Sequence, residues 1–151
     1  MANEKIKTMI KELRPIVNEL NSEKFNHLQI GEIIKGIMDG LGENEISAYT
    51  DPKFSSDQMR QIRKGLNNGV DTSIYTNPKF GSDQMKEIRY GLEGKLDVSK
   101  YADPKFDYEQ MGVIREGIKS GVDVLIYADP KFDADQMCRI RQMLESKSEE
   151  A

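Results

Sequence analysis

Four arginines, Arg63, Arg89, Arg115 and Arg141, stand 26 residues apart, and four lysines, Lys53, Lys79, Lys105 and Lys131, keep the same interval. Cations in register can bind anions, and guanidinium groups suit carboxylates or phosphates because they donate two parallel N–H bonds. Catalytic chemistry has less to draw on. His27 is the only histidine and Cys138 the only cysteine, so neither a zinc cluster nor a Cys–His pair is expected. Abundant Asp and Glu allow a carboxylate pair in principle, but their positions at helix starts already have a structural cause. Neither common glycine-rich phosphate loop occurs. The expectation is a non-enzyme with no cofactor and no metal.

The cations belong to a longer phrase. Tyr-x-[Asp/Asn]-Pro-Lys-Phe-x-x-x-Gln-Met-x-x-Ile-Arg begins at Tyr49, Tyr75, Tyr101 and Tyr127. A fixed period of this length is the signature of stacked repeats. Within one unit, Ser55 is placed to cap a helix and Gln58 to reach back to the cap's N–H, while Phe54 and Met59 form a hydrophobic staple. Gly81/Gln84, Asp107/Gln110 and Asp133/Gln136 repeat the pattern. Asp57, Asp83, Glu109 and Asp135 fall in the first turn, where negative charge suits the helix dipole. Met59, Ile62 and Leu66 define a buried stripe at helical spacing. Gly69 and Gly121 are placed to stop their helices in a left-handed residue; in the third unit the glycine is Gly94, so a different turn is expected. Asp71 then caps a second helix of one or two turns, which ends before Asn77-Pro78.

A degenerate first copy starts at Phe25, with Asn26 as cap, Gln29 as its partner and a small insertion between Gly42 and Ile46. The expected fold is therefore all-α: a right- or left-handed solenoid of helix-turn-helix units starting near Phe25, Phe54, Phe80, Phe106 and Phe132. Residues 1–22 form an amphipathic capping helix (Ile6, Met9, Ile10, Leu13, Val17, Leu20), bent or broken near Pro15, residues 23–145 the array, and 146–151 a disordered tail.

Gly36, Gly65, Gly91 and Gly117 lie inside helices, where glycine costs about 1 kcal/mol relative to alanine. Their expected role is to let the next unit approach, with Met143 covering the open end. The arginines have two readings. One is an inter-unit ion-pair ladder with Asp71, Asp97 or Asp123, or with the Asx before proline; the other is a groove-lining row for anions. The ladder is preferred, because residues repeated in an array usually build it. The lysines read as a solvated edge. Tyr49, Tyr75, Tyr101 and Tyr127 read as core. Specificity should lie where units differ. Tyr90, Tyr108 and Val113 are apolar or aromatic at positions that read as solvent-facing, with Glu87 and Glu116 beside them, and these five are the candidate partner-binding residues.

The chain is 37% hydrophobic and 32% charged, with a net charge of −4. That balance gives no whole-molecule attraction to nucleic acid. No apolar run approaches the ~20 residues needed to span a bilayer, and Met1–Lys5 lacks the features of a secretory signal. With a single cysteine besides, a cytoplasmic protein without membrane association is expected.

The string Tyr101-Ala102-Asp103-Pro104-Lys105-Phe106, continued by Gln110-Met111, Ile114-Arg115 and Gly117-Ile118, resembles a tandem repeat of proteins from gut Gram-positive bacteria and their phages and mobile elements. The resemblance covers roughly residues 24–145 and brings no activity with it. What it implies is a context, a small accessory protein of a mobile element. Analogy with small acidic phage proteins extends this to an inhibitor of a host defence nuclease such as a CRISPR effector. The expected partner is thus a host or effector protein, bound by a monomer or weak homodimer. A nucleic-acid-binding repeat using the Arg and Lys rows is the alternative, and a scaffold or dimerisation module a third reading.

Overall fold

The computed structural model describes residues 2–20 and 23–150. These residues form seven α-helices, three short 3-10 helices and no strand: α1 (Ala2–Leu20), α2 (His27–Met38), α3 (Glu43–Tyr49), α4 (Ser56–Asn67), α5 (Ser82–Glu93), α6 (Tyr108–Ser120) and α7 (Ala134–Glu149). The 3-10 turns are Thr72–Ile74, Val98–Lys100 and Val124–Ile126. The protein is all-α, and no described helix is long and apolar enough to cross a membrane.

Local chemistry explains the helix starts. Asn26 Oδ1 accepts from the Gln29 N–H at 2.9 Å while Gln29 Oε1 accepts from the Asn26 N–H at 2.9 Å. Ser55/Gln58, Asp107/Gln110 and Asp133/Gln136 make the same reciprocal pair. At the third unit only half of the expected box exists. Gln84 accepts from the Gly81 N–H at 2.7 Å, but glycine has no side-chain oxygen to return the bond.

The helix ends hold one correction. Gly40, Gly69 and Gly121 adopt left-handed φ angles of 87°, 72° and 80°. In the third unit the left-handed residue is Lys95, at φ 56°, while Gly94 has φ −80°. The turn keeps its shape and a lysine accepts the glycine conformation. The expected insertion appears as α3, seven residues long, where later units have a three-residue 3-10 turn.

α1 continues across Pro15; one proline removes a single helical N–H and need not end the ladder. The apolar stripe expected on this helix (Ile6, Met9, Ile10, Leu13, Val17) lies outside the described side chains. α7 also outruns its expected end near Glu145 and reaches Glu149. No glycine or proline follows Leu144, and the Ser146 and Ser148 hydroxyls donate back to the Gln142 and Glu145 carbonyls.

Packing follows chain order: α2 lies on α4, α4 on α5, α5 on α6 and α6 on α7, with each 3-10 turn against the long helix before it. One core runs through these layers, built from Met59, Met85, Met111 and Met137, the isoleucines Ile33, Ile62, Ile88 and Ile114, and four tyrosines. Burying each such apolar side chain contributes roughly 1.5–3 kcal/mol.

The interior glycines serve a different contact from the one expected. A Cβ at Gly36, Gly65, Gly91 or Gly117 would overlap the hydroxyl of Tyr49, Tyr75, Tyr101 or Tyr127 respectively. Each tyrosine belongs to the glycine's own unit, so the close approach is within a unit and not between units. Three of the hydroxyls then donate to helix carbonyls, those of Glu32 (3.3 Å), Gln61 (3.0 Å) and Glu87 (3.0 Å). In α7 Met143 stands at the equivalent position and is 62% exposed.

Candidate interaction surface

Most repeated polar side chains bond within the molecule. Four of the five capping glutamines have two jobs. While Oε1 accepts from the cap N–H, Nε2 donates to two carbonyls at the connection to the next unit: Gln29 to Pro52 and Phe54, Gln58 to Pro78 and Phe80, Gln84 to Pro104 and Phe106, Gln110 to Pro130 and Phe132. The shorter bonds are 2.5–2.7 Å. One amide thereby starts a helix and ties it to its neighbour. The spacing of cap and glutamine announces only the first role.

The arginines form a ladder with partners other than those expected. Arg63 Nε donates to Glu32 at 3.1 Å, Arg89 Nε to the Gln61 amide oxygen at 3.2 Å, and Arg115 Nε to Glu87 at 2.9 Å. Every acceptor lies on the preceding long helix. Second bonds run from Nη1 to Asp39, Glu93, Glu116 and, at Arg141, Glu145, at 2.6–2.9 Å. The anticipated acceptors have other partners. Asp71, Asp97 and Asp123 accept from the N–H groups of Ser73, Ser99 and Leu125 to cap the 3-10 turns. The Asx residues before proline accept from the N–H groups of Lys53, Lys79, Lys105 and Lys131. A one-period offset plus two residues, the 28-residue separation of Arg115 from Glu87, was the available signal.

The anion-binding reading required guanidinium groups free of carboxylates. Arg89 and Arg141 each bond one carboxylate, and Arg63 and Arg115 two. The lysine side chains stay exposed, and Lys131 pairs with Asp129 at 3.1 Å.

Glu32 shows how tightly this lattice holds a charge. Its carboxylate is 2% exposed and meets Lys35, Arg60 and Arg63. Burial alone would raise its pKa, but the Lys35 and Arg63 hydrogen bonds and charges outweigh it and hold the carboxyl below the ordinary 4.5. Burial raises the phenols of Tyr49, Tyr75 and Tyr101 well above 10 and that of Tyr127 to about 12.

The variable positions face outward, with two exceptions. Tyr90 is 38% exposed, its ring beside Arg89 (4.6 Å), Arg115 (5.7 Å) and Lys86 (5.8 Å). Tyr108 is 47% exposed and borders a groove of about 410 Å³ with Asp83, Pro104 and Lys105. Both lie along the seam between α5 and α6: Asp83, Glu87 and Tyr90 share a face of α5 and meet Tyr108, Gly112 and Arg115 of α6. Glu116 is partly exposed and bonds Arg115. Glu87 is half-buried under the same arginine. Val113, expected to face solvent, packs against the core, because its position on α6 is the one that meets the next helix. Among the described residues no group of three or more His, Cys, Asp or Glu is placed to hold a metal ion.

Comparison with protein families, with curated proteins and with solved structures finds no match in any of the three.

Proposed function

We propose that the chain is a non-catalytic helical-repeat binding protein, a solenoid of five units whose variable outer face docks on a protein partner. One observation carries the reading. The repeated glutamines, arginines, glycines and tyrosines serve internal contacts, whereas Tyr90 and Tyr108 remain on the surface at positions where other units have different residues. Exposed tyrosines framed by arginine are the side chains that anchor protein interfaces. The acidic net charge and the repeat's resemblance to proteins of phages and mobile elements support a partner in the bacterial cytoplasm: a host protein, such as a CRISPR effector or another defence nuclease, that the array inhibits by occupying it. The carboxylate partners of the arginine row weigh against nucleic acid as the ligand.

The test is capture from a bacterial lysate on the immobilised protein, with and without nuclease, beside the Tyr90→Ala/Tyr108→Ala variant. A protein retained after nuclease treatment by the wild type, and lost by the variant, is expected. Capture that vanishes with nuclease would instead make nucleic acid the ligand. Stability of the variant should stay within about 0.5 kcal/mol of wild type, since both side chains are surface residues.

A further inference from the structure

Three of the four long-helix junctions close their arginine ladder, and the fourth does not. Where α2, α4 and α5 offer Glu32, Gln61 and Glu87 to the next arginine, α6 offers Val113. Arg141 Nε is consequently buried with no acceptor, and the hydroxyl of Tyr127, whose counterparts all donate to a helix carbonyl, is buried without one too. Among the described residues these are the two buried side-chain polar atoms that lack a partner. Ile140, the α7 counterpart of the fully buried Ile33, Ile62, Ile88 and Ile114, is only partly buried. A donor buried without an acceptor weakens the closed junction, because it regains a hydrogen bond to water once the junction opens.

We propose that the α6–α7 junction is a built-in release point, at which α7 leaves α6 while α2, α4, α5 and α6 stay stacked. Gln110 still holds the carbonyls of Pro130 and Phe132 at 3.2 and 2.7 Å, which puts the pivot after Phe132, at Asp133. Release uncovers the face of α6 that packs on α7, so a ligand that prefers either form shifts the balance between them. The missing acceptor at position 113 sets that balance. One side chain on α6 governs how readily α7 is released.

Native-state hydrogen exchange read by mass spectrometry on the full chain tests this. Expected is an opening that exchanges the amides of residues 137–145 while those of α4 and α5 stay protected. Val113→Glu, which supplies the acceptor that α2 and α5 provide, should slow exchange in α7 roughly tenfold, the equivalent of one charge-assisted hydrogen bond, and leave α4 unchanged. Val113→Gln, which copies the amide that Gln61 offers on α4, serves if the carboxylate variant does not fold. Val113→Ala should speed α7 exchange by removing packing without adding an acceptor. Exchange of wild-type α7 only together with α4 and α5 would overturn the proposal. So would α7 rates in the Glu and Gln variants no slower than wild type.

Discussion

Gly36→Ala turns the glycine–tyrosine contact into a number. In isolation the substitution favours the helix by about 1 kcal/mol. In the folded protein the new Cβ lands on the Tyr49 hydroxyl, which must move and forfeit its bond to the Glu32 carbonyl. Overpacking costs about 1–3 kcal/mol, and a buried hydroxyl left without its partner about 1–3 more. The net expectation is a loss of about 1–5 kcal/mol. Tyr49→Phe removes the obstructing oxygen and leaves ring carbon Cζ at 3.2 Å and Leu41 Cδ1 at 3.4 Å, both side-chain atoms with room to yield. In that background Gly36→Ala should be close to neutral, which makes the coupling energy about 1–5 kcal/mol. Urea titrations of the four proteins by far-ultraviolet circular dichroism, fitted with one m value, give all four stabilities. Additivity within about 0.5 kcal/mol would refute the account of the glycines.

The capping glutamines separate by position: Gln58→Ala removes a cap acceptor and the donor to Pro78 and Phe80 and should cost about 2–4 kcal/mol, whereas Gln136→Ala removes only the cap acceptor and should cost about 1; equal losses in denaturation would remove the inter-unit bond from the explanation. Lys95→Gly should stabilise by about 1 kcal/mol, because only glycine adopts a φ of 56° freely, and a lower denaturation midpoint would contradict it. The Glu32 carboxyl is lowered in the folded state, so its contribution is present above the ordinary pKa of 4.5 and is lost as pH falls through the folded value; Glu32→Gln should flatten the acid limb of a pH–stability curve. The buried phenols are raised, so their contribution is present below pH 10 and is lost as pH rises above it. Tyr49, Tyr75, Tyr101 and Tyr127 should then ionise only as the chain unfolds, and phenolate absorbance that develops before helicity falls would show them accessible.

Much of this architecture is legible in residue order because its determinants are local. A capping box needs an oxygen at one position and a glutamine three later, a helical stripe needs apolar residues at fixed spacing, and both repeat every 26 residues. The starts of α2, α4, α6 and α7, the methionine–isoleucine stripe and the burial of four tyrosines follow from such short-range rules. Contacts between units do not. Arg115 has Asp97, Asp123 and Glu87 all close in sequence, and only the stacking of α6 on α5 selects Glu87, since the two aspartates already cap 3-10 turns. The interior glycines announced a close approach without naming the tyrosine that makes it, and Val113 read as surface because nothing in its own helix says that α7 lies against it. Chain order determined the helices, their starts and the composition of the core; tertiary packing decided which repeated side chains pair across the layers, and therefore which variable ones, Tyr90 and Tyr108 foremost, remain on the surface. The physical reason is range: caps and stripes act within a turn or two of one helix, whereas an ion pair or a close approach depends on where a second helix comes to rest.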